Sequence, residues 1–208
     1  MPPTVVLVLA SASPARLRLL RAAGIEPEVV VSDVDEDAVT ARLGTDDPDA
    51  LVAALAAAKA QDVAASRLPS RRPVLVIGCD TLFTVHGETW GKPSSANEAR
   101  ARIRGMREDE GVLRTGHQLV DPGTGRMASG VAATTVRFGP MSDAEVDAYV
   151  ATGEPLAVAG SFTLDGRSAP FVDGVEGDHT NVVGLSLPML RRLLAELGHS
   201  VTDLWSGV

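Results

Sequence analysis

The chain of 208 residues is 45% hydrophobic and carries a formal net charge of −8. This composition predicts a globular protein with a sizeable core and excludes a disordered chain. The acidic balance argues against a DNA- or RNA-binding protein, which needs a broad basic face. A local pocket in such a chain can still hold a small anion, so an anionic ligand is not excluded.

The single cysteine, Cys79, excludes an internal disulfide and suits a reducing compartment. The apolar run at the N-terminus is too short to span a membrane and lacks the basic flank of a signal peptide. We therefore expect a soluble, cytoplasmic protein with no membrane or nucleic-acid partner.

The first motif in chain order is an apolar strand that meets two serines and a proline before a basic, leucine-rich helix. Ser13 is placed to cap this helix, and Pro14 suits its first turn. The N–H groups and dipole of a helix N-terminus attract phosphate, and Ser11 and Arg16 add a hydroxyl and a positive charge. An ordinary capped turn fits the same residues, so an anion site depends on matching residues elsewhere.

Two more charged groups follow. After a second strand comes an acidic stretch containing Asp35 and Glu36, for which a solvated turn and helix start is the ordinary interpretation. Asp47 or Asp49 then caps a helix whose apolar residues recur at helical spacing. This helix carries Lys59 near its middle, at a position where a lysine usually faces solvent.

The apolar run over 73–78 predicts a central strand covered on both faces, preceded by a surface connection over 67–73. We expect this strand to end at Asp80, and the end of a buried strand is where α/β proteins place catalytic groups. Because residues 82–90 favour a β-hairpin rather than a helix, Asp80 is not needed as a helix cap. The sequence therefore favours a functional role for this carboxylate.

Lys92 precedes Pro93, which restricts the lysine to an extended backbone and holds its side chain out from a defined position. The rest of the chain alternates between helices and strands. The predicted elements are a helix over 95–106, a long hairpin over 112–120 and 127–138, a helix opened by a capping box at Ser142 and Glu145, a strand over 157–164, a loop over 173–181 and a helix over 189–197.

Spacing excludes several site chemistries. The four histidines are scattered and have no partner at zinc-ligand spacing, no Ser-His-Asp set stands out, and no Walker motif occurs. What remains is a combination of carboxylates and cations, which suits Mg²⁺ or Mn²⁺ bound to phosphates. The candidates are Asp35, Glu36, Asp80, Arg16, Lys59 and Lys92.

The ordered motifs resemble the Maf family, the septum-formation-inhibitor-like nucleoside triphosphate pyrophosphatases. The resemblance covers nearly the whole chain, and its strength lies in the order of the set rather than in any one motif. The segments that carry it are 11–16 (SASPAR), 35–36 (DE), 58–60 (AKA), 78–81 (GCDT), 91–93 (GKP), 115–116 (TG), 159–162 (AGSF) and 181–188 (NVVGLSLP).

The resemblance implies a single α/β domain over 1–208, with a mixed, elongated, twisted sheet flanked by helices. It also implies two lobes around a central nucleotide cleft, as in Maf and ITPase-like proteins. The implied activity is hydrolysis of a standard or modified nucleoside triphosphate to a monophosphate and diphosphate, as house-cleaning of the nucleotide pool. A homodimer is expected from the resemblance alone.

The resemblance also assigns roles to residues. Asp80 would act on water as the catalytic carboxylate, and Glu36 would help to hold Mg²⁺ or Mn²⁺. The lysines and arginine would bind phosphates, and Ser11 would contact the phosphate chain. The implied catalytic set is Asp80, Glu36, Lys59 and Lys92, the substrate-binding set is Ser11, Ser13, Arg16, Thr81 and Asp165, and the metal ligands are Glu36 and Asp80.

Three departures from the family pattern matter. Ala15 replaces the first arginine of the signature, so we expect weaker phosphate binding rather than lost activity. Ala157 and Val158 replace an Asp-Lys pair. Asp165 stands where the dTTP/UTP branch has glutamine, whereas the branch that acts on methylated GTP has an acid. Because a carboxylate only accepts hydrogen bonds, Asp165 suits a guanine edge better than a thymine edge.

Two other functions remain as alternatives. One is a nucleotide-binding regulator of cell division that no longer hydrolyses its ligand; the retained Asp80 and Glu36 argue against it. The other is an unrelated α/β phosphatase acting on small phosphomonoesters, which would release inorganic phosphate instead of diphosphate.

Overall fold

The computed structural model describes residues 4–66 and 72–205, so the predicted connection over 67–73 falls mainly outside the described residues. The chain divides into two compact units. The first contains Met1–Asp80, Thr115–Ala132 and Gly184–Val208, and the second contains Thr81–Arg114 and Ala133–Val183.

Seven strands lie within the described residues and form a mixed sheet in the order β2-β1-β3-β5-β6-β7, with β4 paired to β3. Three of them, β3, β5 and β6, contribute residues to both units. The strands are β1 (Val6–Leu9), β2 (Glu28–Val29), β3 (Val74–Val85), β4 (Glu88–Trp90), β5 (Glu110–Val120), β6 (Met127–Phe138) and β7 (Val172–Glu176). The helices are α1 (Pro14–Ala22), α2 (Glu36–Leu43), α3 (Pro48–Ala65), α4 (Ala96–Met106), α5 (Asp143–Ala151), α6 (His179–Val183) and α7 (Leu187–Glu196).

In the first unit, the alternation of side chains along the strands builds an apolar layer on each face of the sheet. β1 pairs in parallel with β2 and with β3. Leu7 and Leu9 of β1 join a cluster that includes residues of α1 and α7, whereas Val8 joins a separate cluster that includes Ala60 and Val63 of α3. In β3, Leu75 and Ile77 join the first cluster and Val76 joins the second, so the prediction of a central strand covered on both faces is confirmed.

In the second unit, the core is built around aromatic side chains. Phe83 of β3 packs against Phe138 of β6 and Phe162, with ring centroids 5.9 and 5.2 Å apart and interplanar angles of 87° and 67°. Such edge-to-face pairs are favourable beyond the area they bury. The antiparallel pairs β3–β4 and β6–β7 flank this core, and the predicted capping box of α5, between Ser142 and Glu145, is present.

Three local predictions were wrong. β3 does not end at Asp80 but continues to Val85, so the carboxylate lies within a long strand. The predicted hairpin over 82–90 is confirmed, since the end of β3 pairs with β4, but its first strand is continuous with the buried strand. The predicted strand over 157–164 is replaced by short 3₁₀ turns, because Gly160 and Ser161 adopt left-handed φ angles of 75° and 61° that a strand does not accommodate. The predicted loop over 173–181 contains most of β7 and the start of α6.

The mixed α/β fold class and the other helix predictions are confirmed, since Ser13, Asp47 and Ser95 cap α1, α3 and α4 as side-chain acceptors. The central nucleotide cleft stays a prediction. No helix among the described residues is long and apolar enough to cross a membrane.

Candidate active site

The N-terminus of α1 has the geometry that its sequence predicts. Ser13 Oγ accepts a hydrogen bond from the Arg16 backbone N–H at 3.4 Å, and Pro14 occupies the first turn. Ser11 Oγ in turn accepts from the Ser13 N–H at 3.2 Å. Two hydroxyls are therefore fixed beside the positive end of a nine-residue helix, where an anion is favoured.

Arg16 is held rigidly although it is charged. Arg16 is only 9% exposed, and its Nε donates a hydrogen bond to the Gly184 carbonyl oxygen at 2.7 Å. Its Nη1 donates to Ser11 Oγ at 3.0 Å. Gly184 lies before α7, so this arginine ties the α1 turn to a segment far away in sequence. The sequence identified Arg16 but gave no signal for this carbonyl partner.

Lys59, Asp80 and Glu36 form one ion-pair cluster. Lys59 Nζ lies 2.5 Å from Asp80 Oδ1 and 2.8 Å from Glu36 Oε1. The side chains of Lys59 and Asp80 are each 12% exposed, whereas that of Glu36 is 54% exposed. Three residues that the sequence placed on separate elements are therefore brought together, and Lys59 does not face solvent.

The close approach of α3 to the sheet explains why Lys59 reaches Asp80. Strand alternation puts Val76, Gly78 and Asp80 on the face of β3 that α3 covers. A Cβ at Gly78 would lie 2.3 Å from the Ala56 carbonyl oxygen, and one at Gly116 of β5 would lie 2.1 Å from the Val52 carbonyl oxygen. Glycine at both positions lets the helix backbone touch the strands, which is a recognised use of glycine in strands. Both glycines stand in the motifs over 78–81 and 115–116, but no packing role was predicted for them, although an isolated glycine in an apolar strand is the available signal.

The electrostatics of Asp80 are set by burial and by three neighbouring charges. Burial raises the pKa of the Asp80 carboxyl, Lys59 and Arg16 act to lower it, and the negative charge of Glu36 adds to the increase. The adjacent Cys79 is fully buried, and burial raises the pKa of its thiol to about 11. Cys79 is therefore a core residue rather than a nucleophile, as the sequence predicted.

Asp35 has a different role from Glu36. Its carboxylate accepts from the Ala38 N–H at 2.9 Å and caps α2, whereas Glu36 on the first turn of the same helix reaches Lys59. Of the two adjacent acids, only Glu36 therefore contributes its carboxylate to the Lys59 cluster.

The chemistry of this cluster fits a divalent cation. Two carboxylates converge on one ammonium group, and Mg²⁺ is commonly held by one or two carboxylates with substrate phosphates and water completing the shell. No group of three His, Cys, Asp or Glu side chains arranged for a metal occurs over 4–66 and 72–205. Glu36 and Asp80 are the two carboxylates of this cluster that would hold such an ion, and the metal site stays a prediction.

The remaining predicted site residues belong to the second unit. Thr81 directly follows Asp80 on β3 and is half-buried. Lys92 is exposed between β4 and α4, next to the buried Pro93. Asp165 is exposed in an irregular segment after Phe162. Their roles stay predictions.

Comparison with known proteins gives extensive matches. A family model described as Maf-like protein matches residues 6–197. A protein of Streptomyces coelicolor is 58% identical over 200 residues, covering 96% of this chain and 94% of that protein. Relatives from Mycobacterium sp. (strain JLS) and Synechococcus sp. are 52% and 50% identical, covering 98% and 96% of this chain and 99% and 98% of their own. All three carry the name nucleoside triphosphate pyrophosphatase.

Proposed function

Because the chain belongs to the Maf-like protein family, we propose that it hydrolyses a nucleoside triphosphate to a nucleoside monophosphate and diphosphate. The observation that carries this proposal is the Lys59 cluster, in which a buried lysine contacts Asp80 at 2.5 Å and Glu36 at 2.8 Å. Phosphoryl transfer requires cations that clamp the phosphates, and carboxylates that orient water and hold a metal ion. The names of the relatives agree with this chemistry.

In this proposal the first unit supplies the phosphate clamp. Arg16, fixed by Gly184 and Ser11, presents a permanent positive charge beside the capped N-terminus of α1. Ser11 and Ser13 border that terminus, and Lys59 adds a second cation. Charges held in place before the substrate arrives stabilise developing negative charge without reorganisation.

Asp80 is proposed as the base that acts on water. Hydrolysis adds water across the anhydride between the α- and β-phosphoryl groups: the water oxygen bonds to phosphorus, the bridging oxygen leaves with the other product, and the water proton passes to the Asp80 carboxylate. The rigid strand and the lysine contact orient this carboxylate. Mg²⁺ or Mn²⁺ held by Glu36 and Asp80 would neutralise charge on the phosphate chain.

Lys92 and Thr81 complete the proposed set. Lys92 would bind phosphate, and Thr81 would contact the substrate beside Asp80. The support is their place in the motifs over 78–81 and 91–93 that resemble the family's. For Lys92 there is also a physical reason, since a residue before proline has a restricted backbone.

Asp165 is proposed to shift base preference away from dTTP. Its carboxylate accepts hydrogen bonds only, so it suits the N–H groups of a guanine edge. Replacement by glutamine, which both donates and accepts, should raise activity towards dTTP relative to GTP. An unchanged ranking of substrates would remove this assignment.

The activity is tested with purified protein, Mg²⁺ or Mn²⁺, a panel of standard and modified triphosphates, and small phosphomonoesters. Both diphosphate and inorganic phosphate are quantified. Asp80→Asn removes the proposed base. Asp203→Asn is the matched control, because the Asp203 carboxylate caps a 3₁₀ turn by accepting from the Ser200 N–H. We expect diphosphate release by the parent and the control and its loss in Asp80→Asn.

Each other outcome assigns a different function. Inorganic phosphate released from small monoesters would identify a phosphatase. Nucleotide binding with no turnover under either metal would identify a regulator. Full activity of Asp80→Asn would overturn the role of this carboxylate.

A further inference from the structure

The segment that carries Asp165 is built around a single carboxylate, that of Glu154. Glu154 follows α5, where Thr152 Oγ1 accepts its backbone N–H at 3.2 Å. Its Oε1 accepts from Thr163 Oγ1 at 2.5 Å and from the Arg167 backbone N–H at 2.8 Å. Its Oε2 lies 3.4 Å from Nη1 of Arg167. One side chain therefore binds residues on both sides of Asp165.

The same segment, residues 163–168, is also closed by Ser168. Ser168 Oγ accepts the Thr163 N–H and donates to the Thr163 carbonyl oxygen, both at 2.7 Å. Ser168 is 4% exposed, whereas Asp165 is exposed. The four residues between Thr163 and Ser168 therefore form a small closed loop. The base of the loop is buried at Ser168, and Asp165 lies at the protein surface.

Gly166 shows how tightly this loop fits around the carboxylate. A Cβ at Gly166 would lie 2.4 Å from Thr163 Oγ1 and 2.5 Å from Glu154 Oε1. A side chain at this position would separate Thr163 Oγ1 from the Glu154 carboxylate and so break a hydrogen bond that holds the loop. The bonds from Thr163 and Arg167 also outweigh the effect of partial burial and hold the pKa of the Glu154 carboxyl below its ordinary value.

We infer that Glu154 is a positioning residue for base selectivity: it fixes the loop over 163–168 and thereby the direction of the Asp165 carboxylate. The inference rests on the proposed function, because selectivity is measured as hydrolysis of one triphosphate over another. A hydrogen bond to a base edge discriminates only when the acceptor is held in place, since a mobile carboxylate adapts to either edge. Both oxygens of the Glu154 carboxylate are engaged by Thr163 and Arg167, so its proposed effect on selectivity acts through Asp165.

The test compares kcat/KM for GTP and dTTP in four variants. Glu154→Ala removes the acceptor, and Glu154→Gln keeps an acceptor oxygen at the same reach. Asp165→Asn removes the negative charge of the proposed base contact, and the double variant Glu154→Ala/Asp165→Asn measures whether the two residues are coupled. Glu145→Ala is the control, because Glu145 makes comparable bonds to Ser142 at another site of the same unit.

We expect Glu154→Ala to reduce the GTP/dTTP ratio about tenfold, which corresponds to about 1.4 kcal/mol. Glu154→Gln should restore most of the ratio, Glu145→Ala should leave it unchanged, and the double variant should match Asp165→Asn. An equal loss of activity on both substrates in Glu154→Ala would reveal a merely structural role and overturn the inference, as would a parent protein with no preference. Absence of diphosphate release from any substrate by the parent would instead defeat the proposed function.

Discussion

The two helices that bring charged side chains to the Lys59 cluster differ in how they are held. α3 buries six residues, and glycines on β3 and β5 let its backbone touch the sheet. α2 buries none of its eight residues. Lys59 comes from the first helix and Glu36 from the second, so one side of the cluster is fixed by the core and the other by a cap and an ion pair. The site thus joins a rigid half to an adjustable half.

The two ion pairs reflect the same difference. Lys59 and Asp80 are both 12% exposed, so breaking their pair would leave a charge in a desolvated place. Glu36 is 54% exposed, and water compensates for much of what its pair with Lys59 contributes. We therefore expect the free energy of unfolding to depend on the pair of Lys59 with Asp80. We expect metal or substrate binding to depend on the pair of Lys59 with Glu36.

The largest effect is expected from Lys59→Met, which leaves the buried Asp80 carboxylate without its lysine partner. Removing one member of a buried pair typically lowers stability by about 3 kcal/mol. Urea unfolding of parent and variant measures this difference. In Lys59→Met/Asp80→Asn the buried charge is absent, so stability should be partly recovered while diphosphate release is not. Equal stability of the parent and Lys59→Met would show that the pair is solvated and would remove the contrast between the two helices.

A somewhat smaller loss of stability is expected from Gly116→Ala. The new methyl group would meet the Val52 carbonyl and force α3 away from the sheet. Overpacking of this kind costs about 1–3 kcal/mol, and hydrolysis should fall as well because Lys59 moves with the helix. Gly105→Ala is the control, since a Cβ there meets nothing within 4 Å. Thermal unfolding and diphosphate release are measured for both variants, and a harmless Gly116→Ala would show that α3 is not held by this contact.

Glu36→Gln should separate stability from activity. The exposed pair with Lys59 contributes at most about 1 kcal/mol, so the unfolding midpoint should barely change. The concentration of Mg²⁺ or Mn²⁺ needed for half-maximal diphosphate release should rise, because one proposed ligand loses its charge. Titration of each metal at saturating triphosphate measures this. An unchanged metal dependence would remove Glu36 from the metal site.

The contrast between α2 and α3 also marks how far the sequence could predict the site. The local signals were sufficient for the caps at Ser13 and Asp47 and for the charged residues themselves, because capping and charge are encoded within a few positions. That Lys59 turns inward was not predictable from its helix alone. It depends on Gly78 and Gly116, two strand residues whose lack of a side chain matters only once the helix is packed on them.

The end of β3 was mispredicted for a related reason. The apolar run over 73–78 stops before Asp80, but the strand continues because Phe83 and Val85 are buried in the core of the second unit. Along β3 the buried side chains pass from the core of the first unit to the core of the second. In the sequence, this interruption of the apolar run resembles the end of a strand. Glu154 was missed because its partners in the loop over 163–168 are set by tertiary structure and carry no spacing signal.

The smallest effect is expected at the N-cap of α2. Asp35→Ala removes the acceptor for the Ala38 N–H and should weaken the helix by about 1 kcal/mol. Because α2 has no buried residue, this loss should remain local: amide hydrogen exchange should quicken over 36–43 while exchange over α3 stays at the parent rate. In the parent, α2 should already exchange faster than α3. If instead Asp35→Ala quickens exchange equally in both helices, then α2 and α3 open as one unit, and the adjustable half of the site is as firmly held as the rigid half.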